Sequence, residues 1–264
     1  MLVAGIDLGN LTTKVVVLRE DEIVASAILI AAGEGEAEAL RAFGEALRPG
    51  QPAMQDLECV VATGVGRKSV PFAQRQRASA SCLARGIHHL YPSVRILIDV
   101  GAETCTVVKL NERGLLEDSA TNERCASGTG VFLETMAKLM HMPLEEMAKR
   151  SLLAEGVAEV SNMCAIFAEQ EVISHVHRDP PTPMNDIIAG IHTSMATRVG
   201  GLAKRVGIRE DVALTGGVAR NVGFARTLED NLGVRLVIPD QPELVAALGA
   251  AVSAREEAAK KAAV

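Results

Sequence analysis

Two short segments of the sequence place a carboxylate, a glycine and a threonine at the same spacing. Residues 4–18 read AGIDLGNLTTKVVVL and residues 96–110 read ILIDVGAETCTVVKL, and they align without a gap 92 positions apart. Each segment predicts an apolar strand that ends in a carboxylate, a tight turn with glycine and a returning strand. Glycine lets the backbone of such a turn approach a ligand closely. These residue types favour phosphate groups and a hydrated metal ion as ligands.

The first copy of the repeat supplies several groups that can donate hydrogen bonds to phosphate oxygens. They are backbone amides of the turn, the hydroxyls of Thr12 and Thr13 and the ammonium group of Lys14. Asp7, at the end of the strand, can hold a hydrated Mg²⁺. The candidate phosphate-binding residues are Gly9, Asn10, Leu11, Thr12, Thr13 and Lys14. An ordinary hairpin with a surface lysine explains this copy alone equally well.

The second copy strengthens the phosphate interpretation, because two Asp-x-Gly hairpins can hold a metal–phosphate group from two sides. It contributes Asp99, Gly101, Ala102 and Glu103. A third segment, LTGGVARN at residues 214–221, places a glycine pair between a predicted strand and a helix, where the backbone can approach a base or ribose. Its candidate ligand-binding residues are Gly216, Gly217, Val218 and Asn221. A tight strand–helix connection is the other interpretation of the glycine pair.

Two cysteines stand just ahead of predicted helices, Cys125 in TNERCASGTG and Cys164 in VSNMCAIFAE. Free amides and the partial positive charge at a helix N-terminus stabilise a thiolate or an anionic cluster. Two thiolates cannot complete the four-ligand set of an iron–sulfur cluster, whereas two chains on a two-fold axis can. From spacing alone, two buried cysteines packed as small apolar side chains are the favoured interpretation.

The elements that must position these residues form a repeating order. Strands are predicted at 22–30, 57–63, 115–119 and 236–238, helices at 37–47 and 74–90, a helical region at 127–205, a strand–turn–helix at 212–232 and a terminal helix from residue 243. Three prolines at 180–183 must break the helical region. The order predicts an α/β fold of two duplicated lobes, 1–93 and 94–264, each with a mixed sheet and flanking helices.

Composition excludes several classes of protein. The chain has 264 residues, 48% of them hydrophobic, enough for a large core. A net charge of −6 and 2% aromatic residues argue against nucleic acid as a partner. We find no apolar run long enough to span a membrane and no signal-peptide pattern. The odd number of widely spaced cysteines, five, favours a reducing cytoplasm over a disulfide framework.

The order of the two hairpins and the glycine pair resembles the ribonuclease H-like superfamily of actin, sugar kinases and heat-shock chaperones. The similarity extends to CASGTG at 125–130 and ALGAA at 247–251, and so spans nearly the whole chain. It implies two lobes that close over ATP and Mg²⁺, with the final helix packing back towards the first lobe. It also adds Gly128, Thr129 and Gly130 to the nucleotide-binding candidates. A P-loop motif is absent from the sequence.

The segments ERCASGTGVFLETMAK and NMCAIFAEQEVISHV resemble the cysteine segments of 2-hydroxyacyl-CoA dehydratase activators and of benzoyl-CoA reductase ATP-binding subunits. The resemblance implies a dimer bridged by one [4Fe–4S] cluster, with Cys125 and Cys164 of each subunit as ligands and residues 121–205 as the cluster-binding region. ATP hydrolysis would drive a low-potential electron to an acyl-CoA dehydratase or reductase component. Reduced ferredoxin or flavodoxin would be the donor, and the dimer a homodimer or a related heterodimer.

One turn departs from the dehydratase-activator pattern Gly-Gly-Gln-Asp, since residues 101–104 read Gly-Ala-Glu-Thr. In that family the glutamine is thought to orient the attacking water, so Glu103 becomes the candidate base or water-positioning residue, with Asp99 and Asp7 organising Mg²⁺ and water. The change favours the benzoyl-CoA reductase branch. Two other functions remain open: a small-molecule kinase of the same fold without a cluster, and a non-enzymatic nucleotide sensor or assembly protein.

Overall fold

The structure is a computed structural model, and it describes residues 1–33, 35–48, 50, 52–122, 128–209 and 211–262. Its strands are β1 (Leu2–Leu8), β2 (Thr12–Arg19), β3 (Glu22–Ile30), β4 (Cys59–Gly64), β5 (Arg75–Gln76), β6 (Ile96–Val100), β7 (Cys105–Leu110), β8 (Leu116–Asn122), β9 (Val212–Thr215) and β10 (Leu236–Val237). Its helices are α1 (Gly35–Ala46), α2 (Ser79–Leu90), α3 (Gly130–Leu139), α4 (Leu144–Ser151), α5 (Ala165–His177), α6 (Met184–Val206), α7 (Val222–Leu232) and α8 (Val245–Ala262).

The chain divides into two compact units. The first unit comprises residues 1–97, 108–118 and 243–264, and the second comprises residues 98–107 and 119–242. The last helix, α8, therefore belongs to the same unit as the first strands. The predicted lobe boundary between residues 93 and 94 stays a prediction.

The sheet of the first unit is mixed, with the order β3-β2-β1-β4-β5. β2 runs antiparallel to β1 and β3, while β4 runs parallel to β1 and β5. β1 is buried from Val3 to Leu8 because helices cover both of its faces. Ile6 shares an apolar cluster with Phe43 of α1, and Val3 shares another with Leu248 of α8. These contacts hold the end of β1, where Asp7 lies, in a fixed place.

Helix α8 approaches its neighbours through glycines. A Cβ on Gly5 of β1 would overlap the backbone of α8 at Ala247, and a Cβ on Gly249 of α8 would overlap the carbonyl of Cys82 in α2. Only glycine allows backbones to pack this closely. The ALGAA segment of the sequence is therefore the place where α8 rests on α2.

The second sheet has the order β10-β9-β6-β7-β8, with β10 parallel to β9. Helices α3 to α7 belong to the second unit, where α6 packs against α4, α5 and α7. The proline-rich segment separates α5, which ends at His177, from α6, which begins at Met184. The break predicted from the three prolines is confirmed.

The predicted fold class, two mixed sheets with flanking helices, is confirmed. One predicted element boundary is wrong. The helix predicted over 74–90 begins only at Ser79, because Arg75 and Gln76 pair with β4 as the edge strand β5. The region predicted as predominantly helical, 127–205, is confirmed: it contains α3, α4, α5 and most of α6, with a stretch without helix at 152–164. No helix in the described ranges is long and apolar enough to cross a membrane.

Candidate functional site

The first hairpin joins β1 to β2 through a tight turn. The amide of Gly9 donates to the carbonyl of Thr12 at 3.1 Å, which closes the turn. Asp7 and Lys14 face each other across the strands, and Lys14 Nζ lies 3.1 Å from Asp7 Oδ2. Their side chains are only 11% and 14% exposed, respectively. The hairpin thus contains a largely buried ion pair rather than a free carboxylate and a surface lysine.

Other candidates of this hairpin lie in different surroundings. Asn10 and Leu11 are exposed at the tip, and Thr12 is half-buried. Thr13 is 1% exposed, and its hydroxyl donates to the buried carboxylate of Glu38. The pKa of Glu38 is lowered mainly by its hydrogen bond from Arg41 and further by the one from Thr13. The structure therefore places the Thr13 hydroxyl beside Glu38 of α1, a contact that the sequence did not indicate.

The second hairpin repeats the first in its main-chain bonding. The amide of Gly101 donates to the carbonyl of Thr104 at 2.9 Å, which is the bond that Gly9 makes in the first copy. The second copy has no lysine to meet its carboxylate. Instead, the hydroxyl of Thr215, at the end of β9, donates to Asp99 Oδ1 at 2.8 Å. Glu103 is exposed in the turn.

The start of α3 is fixed to this turn. The amides of Gly130 and Val131 donate to the carbonyls of Gly101 and Ala102, each at 2.9 Å. Thr129 is buried just before the helix. The expectation of free amides at this helix N-terminus is therefore wrong for Gly130 and Val131, because the hairpin turn already occupies them.

The glycine pair after β9 meets the same turn. Gly216 has φ +82°, and a Cβ there would overlap the backbone of Val100, so both the conformation and the space require glycine. A Cβ on Gly130 would lie 3.3 Å from Val218 Cγ2 and 3.4 Å from the Cα of Ala102. The second unit thus brings the Asp99 hairpin, the start of α3 and the glycine pair together.

Two further predicted residues line this part of the second unit. Gly217 is exposed, with open space where a side chain would stand, and Gly128 is buried with the side chains of Asn122 and Arg198 beside it.

Asn221 caps α7, since its Oδ1 accepts a hydrogen bond from the amide of Phe224 at 2.8 Å. The segment 123–127, which contains Cys125, lies outside the described residues.

Asn221 also contacts a histidine that is fully buried. His192 Nε2 lies 3.1 Å from Asn221 Oδ1, and His192 Nδ1 lies 2.9 Å from the carbonyl of Ile188. Burial lowers the pKa of His192, while both hydrogen bonds oppose that shift. The side-chain Nδ2 of Asn221 is buried and finds no acceptor in the described part of the chain.

Cys164 occupies the N-cap position of the 13-residue helix α5 and is half-buried. Within the described ranges, the amides of residues 165–167 have no acceptor, as expected for the first turn of a helix. Met163, Ile166 and Phe167 around it are 77%, 62% and 58% exposed. A reachable thiol at free helical amides fits a ligand of an anionic cluster.

The other described cysteines are confirmed as core residues. Cys59, Cys82 and Cys105 are buried, and desolvation raises the pKa of all three thiols, that of Cys82 to about 11 and that of Cys105 to about 12. In the described ranges no three His, Cys, Asp or Glu side chains are grouped to hold a metal ion. Among the described thiols, Cys164 is therefore the candidate ligand.

Comparison with known proteins shows which family combines these features. The model of the BadF/BadG/BcrA/BcrD ATPase family matches residues 4–254. The 2-hydroxyisocaproyl-CoA dehydratase activator of Clostridioides difficile is 37% identical, over 98% of this chain and 96% of its own. A benzoyl-CoA reductase component of Thauera aromatica is 36% identical, over 75% of this chain and 71% of its own.

Solved structures agree with this result. The activator of the 2-hydroxyisocaproyl-CoA dehydratase from Clostridium difficile, solved with bound ADPNP, superposes with a TM-score of 0.91 at 37% identity, over 99% of this chain and 97% of its own. A ROK family glucokinase from Streptomyces griseus, at 13% identity and a TM-score of 0.59 over 97% and 100%, shares the fold alone. The predicted sugar-kinase type of architecture is confirmed, and the chain belongs to the BadF/BadG/BcrA/BcrD ATPase family.

Proposed function

We propose that this protein is an ATP-hydrolysing activator that delivers low-potential electrons to an acyl-CoA dehydratase or reductase. The observation that carries the proposal is the 37% identity to a dehydratase activator over nearly the whole of both chains. The duplicated hairpins support it, since the same backbone hydrogen bond closes the turn after each carboxylate-bearing strand. The choice between the dehydratase and reductase branches stays a prediction, because relatives from both branches match.

In this proposal the two hairpins bind the phosphates and Mg²⁺ of ATP. The exposed turn at residues 10–11 offers backbone amides, and Lys14, which is paired with Asp7, would bind a phosphate oxygen. Asp7 and Asp99 would hold water molecules of a hydrated Mg²⁺, which needs only one or two protein carboxylates. Thr215 fixes the orientation of Asp99 through its hydroxyl.

Glu103 is the proposed base or water-positioning residue for hydrolysis. It is exposed in the turn that follows Asp99, so its carboxylate can reach water without a desolvation cost. Gly216, Gly217 and Val218 would line the adenosine. Gly216 supports this role because no side chain fits between that loop and the backbone of Val100.

Cys164 would hold a [4Fe–4S] cluster together with Cys125 and the same two residues of a second subunit. The described half of this ligand set fits, since Cys164 is a reachable thiol at the start of a helix. When bound, the cluster would supply one electron at low potential. The exposed apolar side chains beside Cys164 would be covered by that second subunit, which excludes water from the thiols.

Iron and turnover measurements test the proposal. Anaerobically purified protein is expected to hold about four irons per two chains and to hydrolyse ATP. Cys164→Ala should lose the iron, whereas Cys59→Ala, which changes a buried strand thiol, should keep it. Glu103→Ala should slow hydrolysis about 100-fold or more, as expected for loss of a general base, while Glu112→Ala on the surface should not.

Either half of the proposal can fail separately. A colourless protein that hydrolyses ATP even after cluster reconstitution would reject electron transfer and favour the kinase of the same fold. A protein that holds iron but whose reduction of an acyl-CoA dehydratase or reductase component does not depend on ATP would reject the coupling between the two reactions.

A further inference from the structure

Helix α6 lies between the two parts of the second unit that the proposed function uses. It is the longest described helix, with 23 residues, and 14 of them are buried. His192, Ser194 and Arg198 are the polar side chains by which it is hydrogen-bonded to other segments near Asn221 and Cys164. His192 and Arg198 are about 9 Å apart along the helix axis.

Arg198 connects α6 to the residues just before Cys164 and to Gly128, which follows the segment that contains Cys125. Its guanidinium NH1 donates to the carbonyls of Asn162 and Met163 at 3.1 Å and 3.3 Å, directly before Cys164. A Cβ on Gly128 would lie 3.6 Å from Arg198 Cγ, so the aliphatic part of the side chain packs beside the residue that follows the Cys125 segment. Ser194 adds a third bond, from its hydroxyl to the carbonyl of Ser161 at 2.7 Å.

His192 connects the same helix to the loop after β9. Its imidazole bonds Asn221, which stands four residues after Gly217 and caps α7. Asn221 has a buried amide donor, Nδ2, without an acceptor in the described ranges. The backbone amide of Asn221 also donates to the carbonyl of Val218 at 2.9 Å, so a movement of the loop is passed through Asn221 to the imidazole and to α6.

We propose that His192 and Arg198 are positioning residues that link the Gly216–Gly217 loop to the Cys164 segment through α6, so that bound nucleotide changes the exposure of Cys164. The proposal rests on the proposed function, since it assumes that ATP binds at this loop. It goes further by naming the side chains that couple nucleotide binding to the exposure of Cys164. Because a buried helix moves as a unit, a shift at Asn221 reaches the carbonyls of residues 161–163 without melting α6.

A pocket beside Arg198 provides a matched control. It encloses about 400 Å³ and is lined by residues that include Asn122, Arg198 and Arg205. Arg205 stands on the same helix and has no hydrogen bond or ion pair in the part of the chain that is described. Arg205→Met therefore removes an equal charge from the same pocket without touching the Cys164 segment.

The test compares the exposure of the cysteine site with MgADP, with a non-hydrolysable ATP analogue and without nucleotide. The first readout is the rate at which an iron chelator removes iron from the anaerobically purified protein. The second is the rate of alkylation of Cys164 in cluster-free protein, measured by mass spectrometry of its peptide. In the wild type we expect nucleotide to change both rates about fivefold or more.

Arg198→Met should bring the ratio of rates with and without nucleotide close to one, while nucleotide affinity measured by calorimetry stays within about twofold of the wild type. Arg198→Lys, which keeps a donor, should restore part of the ratio, and Arg205→Met should keep all of it. If Arg198→Met fails to fold, the lysine variant and His192→Gln carry the comparison, and both should reduce the ratio.

Failure of this proposal is distinguishable from failure of the proposed function. Wild-type protein without iron rejects the cluster, yet the alkylation readout still tests the coupling. Rates that do not respond to bound nucleotide, or that respond equally in Arg198→Met and the wild type, overturn the role of α6. A wild type that binds no nucleotide in calorimetry overturns both proposals.

Discussion

The Asp7–Lys14 pair shows how much a single contact depends on its surroundings. Both side chains are largely hidden, and Lys14 is the cation that the structure places against the carboxylate. A Cβ on Gly64, which has φ +88°, would overlap the same carboxylate and the carbonyl of Leu8, so no side chain fits there. Removing one partner of such a pair leaves a buried charge without compensation, which costs far more than the loss of an exposed ion pair.

Lys14→Met is therefore expected to lower the free energy of unfolding by about 3 kcal/mol. The matched control is Lys149→Met, which breaks an exposed pair with Glu145 on α4 whose side chains are 67% and 80% exposed. The control should cost much less, because water and salt screen an exposed ion pair. Urea unfolding of the wild type and the two variants measures both losses of stability. Equal losses would contradict the conclusion that the Asp7–Lys14 pair contributes more because it is buried.

The described thiols should differ sharply in reactivity. Because burial holds the pKa of Cys82 near 11 and that of Cys105 near 12, these thiols are almost fully protonated at pH 8, and the thiolate is the reactive form. Cluster-free folded protein treated with iodoacetamide should be alkylated at Cys164 and spared at Cys82 and Cys105.

The rate at which the buried thiols are alkylated is expected to rise with pH. Reaction of Cys82 should rise about tenfold per pH unit until the pH approaches its raised pKa, whereas urea-unfolded protein should react at all of these thiols with a pKa near 9. Peptide mass spectrometry gives the site of modification. Rapid alkylation of Cys105 in folded protein at pH 8 would be inconsistent with its burial in β7.

At the scale of elements, α8 packs on α2 through closely spaced backbones at two glycines. Gly249 fits against the carbonyl of Cys82 in α2, and Gly86 fits against the carbonyl of Val245. Small residues at both surfaces bring the helix axes close, so a single added methyl group has no space to enter.

Gly249→Ala should thus destabilise the protein by about 2 kcal/mol or more. Gly201→Ala, in the helix α6, meets no atom within 4 Å and should be neutral or stabilising by about 0.5–1 kcal/mol, because alanine is the better helix former. Thermal or urea unfolding checks the opposite signs. A stable Gly249→Ala protein would mean that α8 can slide away from α2.

The same scale separates what sequence reasoning reaches from what it misses. The hairpins were predictable because carboxylate, glycine and threonine recur 92 positions apart, and local turn chemistry then fixes the main-chain bond. The bonds from Gly130 and Val131 to the second turn, and from Thr215 to Asp99, join segments far apart in sequence. No periodicity or motif records such pairs. The short strand β5 was missed because two residues carry too little pattern.

At the scale of the whole molecule, apolar residues remain exposed around Cys164. Met163, Ile166 and Phe167 are more than half exposed, in a chain with a net charge of −6. Exposed apolar clusters of this kind mark interaction surfaces more often than chance. In the proposed function a second subunit covers them.

Phe167→Glu should accordingly shift the protein from dimer to monomer at micromolar concentration and lower its iron content. Val65→Glu replaces an apolar side chain that is equally exposed, at 59%, in the first unit, and should leave the dimer intact. Sedimentation velocity under anaerobic conditions distinguishes the two. A dimer that persists in Phe167→Glu would place the subunit interface elsewhere.

The membership of α8 in the first unit has a consequence for biosynthesis. The sheet that contains residues 2–30 is complete on one face only when residues 245–262 are available to cover it. A ribosome that adds about 5–20 residues per second therefore releases the first strands roughly ten seconds or more before the helix that must cover them. During that interval Val3 and its neighbours are open to chaperones, and any truncation before α8 would leave them so permanently.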